Sequence, residues 1–396
     1  MLIIEYHPNL LSDENWMPNW HIEAETSETG EACCRAYPSG TQTKELAITV
    51  SPELSVYTSL HHNKGASLLL VQNPADPEST FFLLPGGELH FDGFKALFTG
   101  SLPLPKNIIP APHSEQTVTT QAMILAAGFA TRLEPIAGDY TNYCKPALPL
   151  NQNESVILAM AKHLISFGIT RLIINTSFIP HSVKQALSEL PEHIELFYID
   201  EETPSGTAGG LFKAFQKDFV KPDEPILIVQ GDAVSNFDLG YLLNTHTQHQ
   251  PLVTIGAQTV KSEDVHKFGI IKTQAFLPDS DDPTGVIQQF KEKPSLLEAG
   301  DCRFANTGFY VLSPEVFETF ISIGQTALSH GLYDFAKDFF PKILKTSQLD
   351  PTHPAMIACR LEGYWTDIGN PLQYYQTLRE TCPIQAALPP GVIQLN

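Results

Sequence analysis

The chain has 396 residues, 42% of them hydrophobic and 17% charged, a balance that excludes a largely disordered or collagen-like chain. A chain of this length predicts two or three domains, or one large core with an appendage. Its formal net charge of −20 comes from 24 Lys and Arg against 44 Asp and Glu, a field that repels nucleic acid and anionic lipid and excludes both as default partners.

The N-terminal segment MLIIEYHPNL meets Glu5 and His7 too early for a secretory core, and no apolar run reaches the ~18 residues of a membrane span. Residues 1–120 are rich in turns. Short apolar runs at Leu46–Val50, Ser67–Val71 and Thr80–Leu84 predict strands of about five residues, and the turn Pro85-Gly86-Gly87 follows the last. The stretch 103–120 carries four prolines, at 103, 105, 110 and 112, and predicts a linker or extended strap. No catalytic spacing occurs in this part. It is expected to be a β-rich extension that packs on the remainder or forms a homo-oligomer contact.

From Gln121 the rhythm becomes strand then helix. Ala122–Leu125 predicts a strand. Ser155–Phe167 predicts a helix with Val156, Ile157, Met160, Ala161, Leu164 and Ile165 on one face, ended by Gly168. Strands at Arg171–Asn175, Ile194–Ile199 and Ile226–Val229 alternate with helices at Pro180–Leu190, Ala208–Phe219 and Asp238–Gln248, and Pro371–Thr381 predicts a terminal helix. The fold class expected is α/β, a Rossmann-like, mostly parallel mixed sheet with helices on both faces over 121–396, preceded by the extension over 1–120. Ligands in such sheets sit beyond the carboxyl ends of the strands, which directs attention to the loops after Leu125, Ile199 and Val229. The six cysteines, at 33, 34, 144, 302, 359 and 382, contain no CxxC spacing, so reduced thiols in a cytoplasmic protein are expected.

The first of these loops reads Leu125-Ala126-Ala127-Gly128-Phe129-Ala130-Thr131-Arg132-Leu133. Small residues let backbone N–H groups approach a phosphate, and Arg132 adds a fixed cation. It is neither a Walker loop nor a GxGxxG turn. Lys145-Pro146-Ala147-Leu148-Pro149 follows. Together the two resemble the signature of the sugar-nucleotidyltransferases (nucleotide-sugar pyrophosphorylases), LAAGxGTRLxP followed by PKPxxP. The resemblance implies that Leu125, Ala126, Ala127, Gly128 and Thr131 line the nucleotide and that Arg132 and Lys145 hold its phosphates. Two positions depart from the pattern. Ala130 replaces the second glycine, which is tolerable only if residue 130 keeps φ below zero, and Cys144 replaces the proline before the lysine.

The resemblance continues toward the C-terminus. EETPSGTAGGL over Glu201–Leu211 resembles the family's base-recognition segment, which carries nucleotide contacts onto Pro204, Gly206 and Thr207. Thr207 as the N-cap of the next helix is a compatible ordinary reading. Thr203 and Gly206-Thr207-Ala208-Gly209 look more like the mannose-1-phosphate guanylyltransferase branch than the pyrimidine-selective members. Val229-Gln230-Gly231-Asp232 ends a buried run in an acid, which must meet a cation, a metal or water, or else cap a helix. Trp365-Thr366-Asp367-Ile368-Gly369-Asn370-Pro371 resembles the second acid motif, WxDIGTP, with Asn370 in place of Thr. By resemblance Asp232 and Asp367 hold Mg2+, which suits few protein oxygens. Glu292-Lys293-Pro294 resembles the EKP segment, so Glu292 would bond sugar hydroxyls and Lys293 the sugar phosphate. Asn306, Thr307 and Gly308 resemble the strand lining the sugar pocket, and Asp334–Leu344 resembles a K-D-x-F-P-x-L helix. The chain ends at Asn396, so neither the left-handed β-helix nor the acyltransferase domain of some relatives is expected.

The resemblance covers about residues 121–380. It implies transfer of a nucleotidyl group from a nucleoside triphosphate to a sugar-1-phosphate, releasing pyrophosphate, with Arg132, Lys145, Asp232 and Lys293 as the catalytic set. Mannose-1-phosphate and GTP are the favoured pair. The alternatives are glucose-1-phosphate thymidylyl or uridylyl transfer, a same-fold enzyme acting on phosphocholine or a heptose phosphate, and a non-catalytic regulatory subunit of the same fold.

Overall fold

The computed structural model describes residues 119–134, 136–138, 141–151, 153–277, 281–347 and 354–381, with the strand backbones before residue 98 and the strand at 392–394. The turn at Pro85-Gly86-Gly87 and the linker expected over 103–120 lie outside the described residues, save Thr119 and Thr120. The chain divides into two compact units. One comprises Met1–Asn107, Ala130–Ser155 and Asp367–Asn396, and the other Ile108–Phe129 and Val156–Thr366.

In the first unit the early strands are β1 (Ile3–Tyr6), β2 (Trp20–Thr26), β3 (Ala32–Pro38), β4 (Leu46–Val50), β5 (Tyr57–Asn63), β6 (Ala66–Asn73), β7 (Asp76–Leu83), β8 (Glu88–Phe91) and β9 (Phe94–Leu97). β4 has the bounds predicted from its apolar run, whereas β6 and β7 each run to eight residues. β2, β3 and β4 form an antiparallel sheet, and β8 and β9 a hairpin.

The second unit opens with β10 (Gln121–Ala126). After the hairpin of β11 (Pro149–Asn151) and β12 (Glu154–Ser155), which belongs to the first unit, strands and helices alternate. They are α1 (Val156–Ser166), β13 (Arg171–Thr176), α2 (Pro180–Leu187), β14 (Glu195–Asp200), α3 (Gly209–Gln216), β15 (Ile226–Gln230), β16 (Ala233–Ser235) and α4 (Leu239–His249). Next come β17 (Val253–Thr259), β18 (Gly269–Ala275), β19 (Gly285–Glu292), α5 (Leu296–Ala299), β20 (Phe304–Leu312), α6 (Phe317–Leu328), α7 (Phe340–Ser347), β21 (Met356–Arg360) and β22 (Trp365–Asp367). The apolar face of α1 is buried as its period predicts, and Gly168, at φ +86°, closes it through its N–H to Ile165 O at 2.9 Å.

Nine strands form one mixed sheet in the order β14-β13-β10-β15-β20-β17-β21-β19-β18, and β18 also pairs with β20, so the last five close into a ring. β14, β13, β10 and β15 are mutually parallel. In the other half only β17 with β21 is parallel, because β20 and β19 run against their neighbours. The mostly parallel pairing expected from the sequence therefore belongs to the first half alone. The physical reason lies in the connections: parallel neighbours need a crossover of helical length. α1, α2 and α3 supply such crossovers, whereas only a 3-10 turn and short loops join β17, β18 and β19.

Helices cover both faces. Met123, Leu125, Ile173 and Ile228 share a core with Leu211 and Phe212 of α3 and Phe317 and Phe320 of α6. On the opposite face Thr254 of β17 meets His246 of α4, with Nδ1 and Oγ1 2.8 Å apart. Among the described residues no helix is long and apolar enough to cross a membrane.

The first unit closes the chain with α8 (Pro371–Thr381), which has the bounds read from the sequence, and β23 (Val392–Gln394). β23 pairs antiparallel with β7, completing a five-stranded sheet β1-β5-β6-β7-β23. The Tyr374 hydroxyl of α8 donates to Pro149 O of β11.

Candidate active site

In the second unit β10 is buried along its whole length and delivers Leu125 and Ala126 to the first loop. The adjacent strand β15 ends beside it: the Gly231 N–H donates to Leu125 O at 2.9 Å, and a β-carbon on Gly231 would stand 2.9 Å from that oxygen. Only glycine allows this approach, so half-buried Asp232 leaves the sheet next to the start of the loop. A strand, β16, follows Asp232, so it caps no helix. The next strand, β20, is just as close. Gly308, at φ +82°, would place a β-carbon 2.5 Å from Gln230 Cγ.

A bulge shapes this part of β20, whose register against β17 slips between Tyr310 and Asn306. The Asn306 amide holds the bulge, accepting from Gly308 N at 3.0 Å and donating to Tyr310 Oη at 2.9 Å. Buried Thr307 donates its hydroxyl to Gly256 O at 2.7 Å. The side chains of Asn306 and Thr307 thus support the strand. Burial raises the Tyr310 hydroxyl well above its ordinary pKa, which keeps it a neutral partner for Asn306. On the far side of β20, Ile270 of β18 lies opposite Ala305 and Gly269 lies opposite Glu292. Lys293 follows at φ +45°, an uncommon conformation for a side-chain-bearing residue. Its N–H donates to Phe268 O at 3.0 Å. Nearby, Trp365 packs against Phe237 and Phe268, and its buried Nε1–H has no acceptor among the described residues.

The Pro204–Thr207 segment is clamped from behind. Gly206, at φ +94°, lies so close to Tyr333 that a β-carbon would sit 2.2 Å from the Tyr333 carbonyl oxygen. The Thr207 hydroxyl donates to Asp334 Oδ2 at 2.9 Å and accepts from Phe335 N at 3.1 Å. The N-cap of α3 is Ala208, without a side-chain bond, so the expected capping role for Thr207 is replaced by a tie to the Asp334 turn.

Sequence reasoning passed over the residues that join this segment to the first loop. Asn175, the penultimate residue of β13, accepts from Ala126 N at 3.0 Å and donates to Glu201 Oε1 at 2.8 Å. Glu201 also receives Ser205 N at 3.0 Å, the Ser205 hydroxyl, and Lys213 Nζ at 2.8 Å. Burial pushes the Glu201 carboxyl up, but the bonds from Lys213, Ser205 and Asn175 outweigh it and hold the group below the ordinary carboxylate range. A polar residue at or just beyond the carboxyl end of two consecutive strands was the available signal.

The first unit gathers another part of the set. A β-carbon on Gly369 would lie 3.3 Å from Asp367 Oδ2 and 3.5 Å from Arg132 Nη2, so these two charged groups flank one point. Arg132 is exposed and makes no hydrogen bond or ion pair with the described residues. Asn370 caps α8, its Oδ1 accepting from Gln373 N at 3.0 Å. Gln373 in turn accepts from Gly369 N and Asn370 Nδ2 and reaches Asp367 Oδ1 at 3.4 Å. Asn370 thus caps the helix, and asparagine and threonine are both favoured cap residues. Half-buried Lys145 opens a 3-10 turn behind Cys144, whose φ of −79° lies in the range of proline. That departure keeps the backbone of the pattern. Ala130 differs: its φ is +54°, so the condition expected for its methyl group is not met. The chain holds alanine in a conformation that glycine adopts freely. Half-buried Thr131 follows it. In the second unit's part of the loop, half-buried Ala127 precedes exposed Gly128, where a β-carbon would meet nothing within 4 Å.

Among the described residues no group of three or more His, Cys, Asp or Glu could enclose a metal. Asp232 in the second unit and Asp367 in the first are each a hard oxygen donor, of the kind that suits Mg2+.

The nine-stranded sheet with its crossover helices is that of a mixed α/β protein. The chain belongs to the nucleotidyl transferase family, whose sequence model matches residues 121–382. It is 27% identical over 261 residues to probable mannose-1-phosphate guanylyltransferase 2 of Oryza sativa subsp. japonica, covering 65% of this chain and 64% of that protein. It is 29% identical over 269 residues to the UTP–glucose-1-phosphate uridylyltransferase of a Synechocystis strain, covering 65% and 62%. The chain thus spans just under two thirds of the length of these relatives. The crystal structure of HddC from Yersinia pseudotuberculosis matches with a TM-score of 0.50 at 21% identity, over 66% of this chain and 99% of that one, a likeness of fold.

Proposed function

We propose that the protein transfers a nucleotidyl group from a nucleoside triphosphate to a sugar-1-phosphate, yielding a nucleotide-sugar and pyrophosphate. GTP and mannose-1-phosphate are the favoured pair, on the Thr203 to Gly209 pattern and the names of the rice relatives. The observation that carries the reading is the meeting of the Arg132 guanidinium, without an ion-pair partner among the described residues, and the Asp367 carboxylate at one point beside Gly369. A cation held ready beside an acid suits a metal-bound polyphosphate. The parallel half of the sheet supports a Rossmann-like description, and the family match from residue 121 supports 1–120 as an appended extension. A cytoplasmic location belongs to the same proposal, on the lack of any CxxC spacing in the sequence. A homo-oligomer contact through the extension belongs to the same proposal.

In this reading a sugar phosphate oxygen attacks the α-phosphorus, and the bond from that phosphorus to the pyrophosphate oxygen breaks. The attacking oxygen is already an anion at neutral pH, so catalysis consists of orientation and charge stabilisation. Arg132 and Lys145 clamp the triphosphate, Lys293 steadies the sugar phosphate, and Glu292 bonds sugar hydroxyls. The Trp365 indole N–H is a donor awaiting a ligand oxygen. Asp232 and Asp367 would hold Mg2+, which when bound supplies neutralising charge at phosphate oxygens.

The test is pyrophosphate release with GTP, UTP, dTTP and ATP, each paired with mannose-, glucose- and N-acetylglucosamine-1-phosphate in the presence of Mg2+. Turnover with GTP and mannose-1-phosphate is expected, falling on the order of 10²–10³-fold in Arg132→Ala. Silence in every pairing would favour a non-catalytic subunit and overturn the reading.

A further inference from the structure

Glu201 is an unusual residue to bury. Its side chain is 0% exposed, and a carboxylate without water is costly unless each lone pair is met. Here the two oxygens collect four donors, from Asn175, the Ser205 backbone, the Ser205 hydroxyl and Lys213. The chain makes room for this cluster with two glycines at the start of α3. A β-carbon on Gly209 would lie 2.3 Å from Ser205 Oγ, and one on Gly210 would lie 2.5 Å from Asn175 Nδ2. The connections lead outward as well as into the core. Through Asn175 they end on Ala126 N, where the first loop begins, and through Ser205 on the backbone of the Pro204–Thr207 segment. These are the two loops to which the family resemblance assigns the nucleotide.

We propose that Glu201 is a positioning residue for the nucleoside triphosphate, setting the separation between the glycine-containing loop and the Pro204–Thr207 segment through Asn175 and Ser205. Being wholly enclosed, Glu201 acts through these neighbours. A carboxylate is required because it accepts from every direction. Glutamine has the same shape, but its NH2 would face donors from Ser205 and Lys213. The inference rests on the proposed function, and its consequence is selective: affinity for the triphosphate depends on the network, while the sugar-phosphate end, built on β18, β19 and β20, does not.

The experiment compares wild type with Glu201→Gln, Ser205→Ala and, as a stability control, Phe320→Leu in the buried core. Direct titration with GTP and Mg2+, KM for each substrate and the thermal midpoint are measured on the full chain. Glu201→Gln is expected to raise the GTP Kd and KM by roughly tenfold or more, with the sugar-phosphate KM within about twofold of wild type. Ser205→Ala, which removes one donor and leaves the carboxylate bonded to Lys213 and Asn175, is expected to raise them several-fold. Phe320→Leu is expected to lower the thermal midpoint with both KM values unchanged. If Glu201→Gln does not fold, Ser205→Ala decides the matter. Wild-type GTP binding that is unaltered in the folded variants overturns this inference and leaves the proposed function standing. A rise in GTP KM in Phe320→Leu in proportion to its lost stability overturns it as well, since the effect would then be general loosening. A wild type that binds no nucleotide under any condition sinks both.

Discussion

Two glycines of the candidate site show how one residue type serves opposite needs. Gly206 is required by its own protein, because it combines φ +94° with a β-carbon position 2.2 Å from a backbone oxygen. Gly206→Ala is expected to lose roughly 3 kcal/mol or more of stability, read as a lowered urea midpoint. Gly128 has open space above it. Gly128→Ala is expected to stay within about 0.5 kcal/mol of wild type, yet to raise the KM for the triphosphate, because the added methyl group occupies space assigned to phosphate. Equal stability losses in the two variants would contradict this division.

A different single residue contributes to the acid limb of stability. The Ser313 hydroxyl donates to Pro251 O at 2.6 Å, so His246 Nε2, 3.0 Å from Ser313 Oγ, is the ring donor, and Nδ1 accepts from Thr254. Burial pushes this imidazole down to about 4 from an ordinary 6.5. The unfolded chain therefore binds the extra proton more readily. The stability held above pH 6.5 is lost as pH falls toward 4, by on the order of 3 kcal/mol in all. Urea midpoints measured between pH 7.5 and 4.5 should fall accordingly, and His246→Gln should flatten that slope. An unchanged slope in the variant would assign it to other groups.

Elements carry the next set of constraints. The N-terminus of α8 is set by Asn370, and Gln373, three residues on, returns bonds to Gly369 and Asn370 while touching Asp367. The helix start and the proposed metal ligand are thus one local arrangement. Asn370→Ala is expected to cost about 1 kcal/mol, with Asn370→Thr close to wild type, as thermal melts would show. A loss in the Thr variant equal to that in Ala would mean the cap is incidental. At the other helical end of the fold, Asp338 N and Phe339 N both bond Asp334 O, and the resulting π turn delivers Pro341 to the second position of α7. There its missing N–H goes unneeded.

At the scale of the whole molecule, the chain's two ends share a unit. β23 covers the edge of β7, and α8 lies beside β6 in the unit that also holds Arg132 and Asp367. Truncation after Thr381 removes β23 and leaves β7 as a bare edge, a template for pairing between molecules. It is expected to increase light scattering on storage. A monodisperse truncated protein, unchanged over days, would show that the edge is protected in another way. The −20 charge acts at the same scale, since it repels polyanions at a distance.

What was legible in the sequence was local. The bounds of α8, the closure of α1 at Gly168 and the alternation from β10 to α4 follow from periodicity, glycine and proline, which act within a few residues. The two charged motifs around Arg132 and Asp367 also stood out, because runs of consecutive residues carry the family resemblance. Tertiary structure decided the rest. Only the completed turn sets Ala130 at φ +54°. The Thr207 hydroxyl goes to Asp334, 127 residues later, and Thr307 to Gly256, 51 residues earlier. The antiparallel half of the sheet and the enclosure of Glu201 depend likewise on which strands become neighbours. Periodicity records which face of an element is buried. It carries no record of the distant backbone that will arrive there, so a side chain's hydrogen-bond partners are settled only when the sheet order is complete.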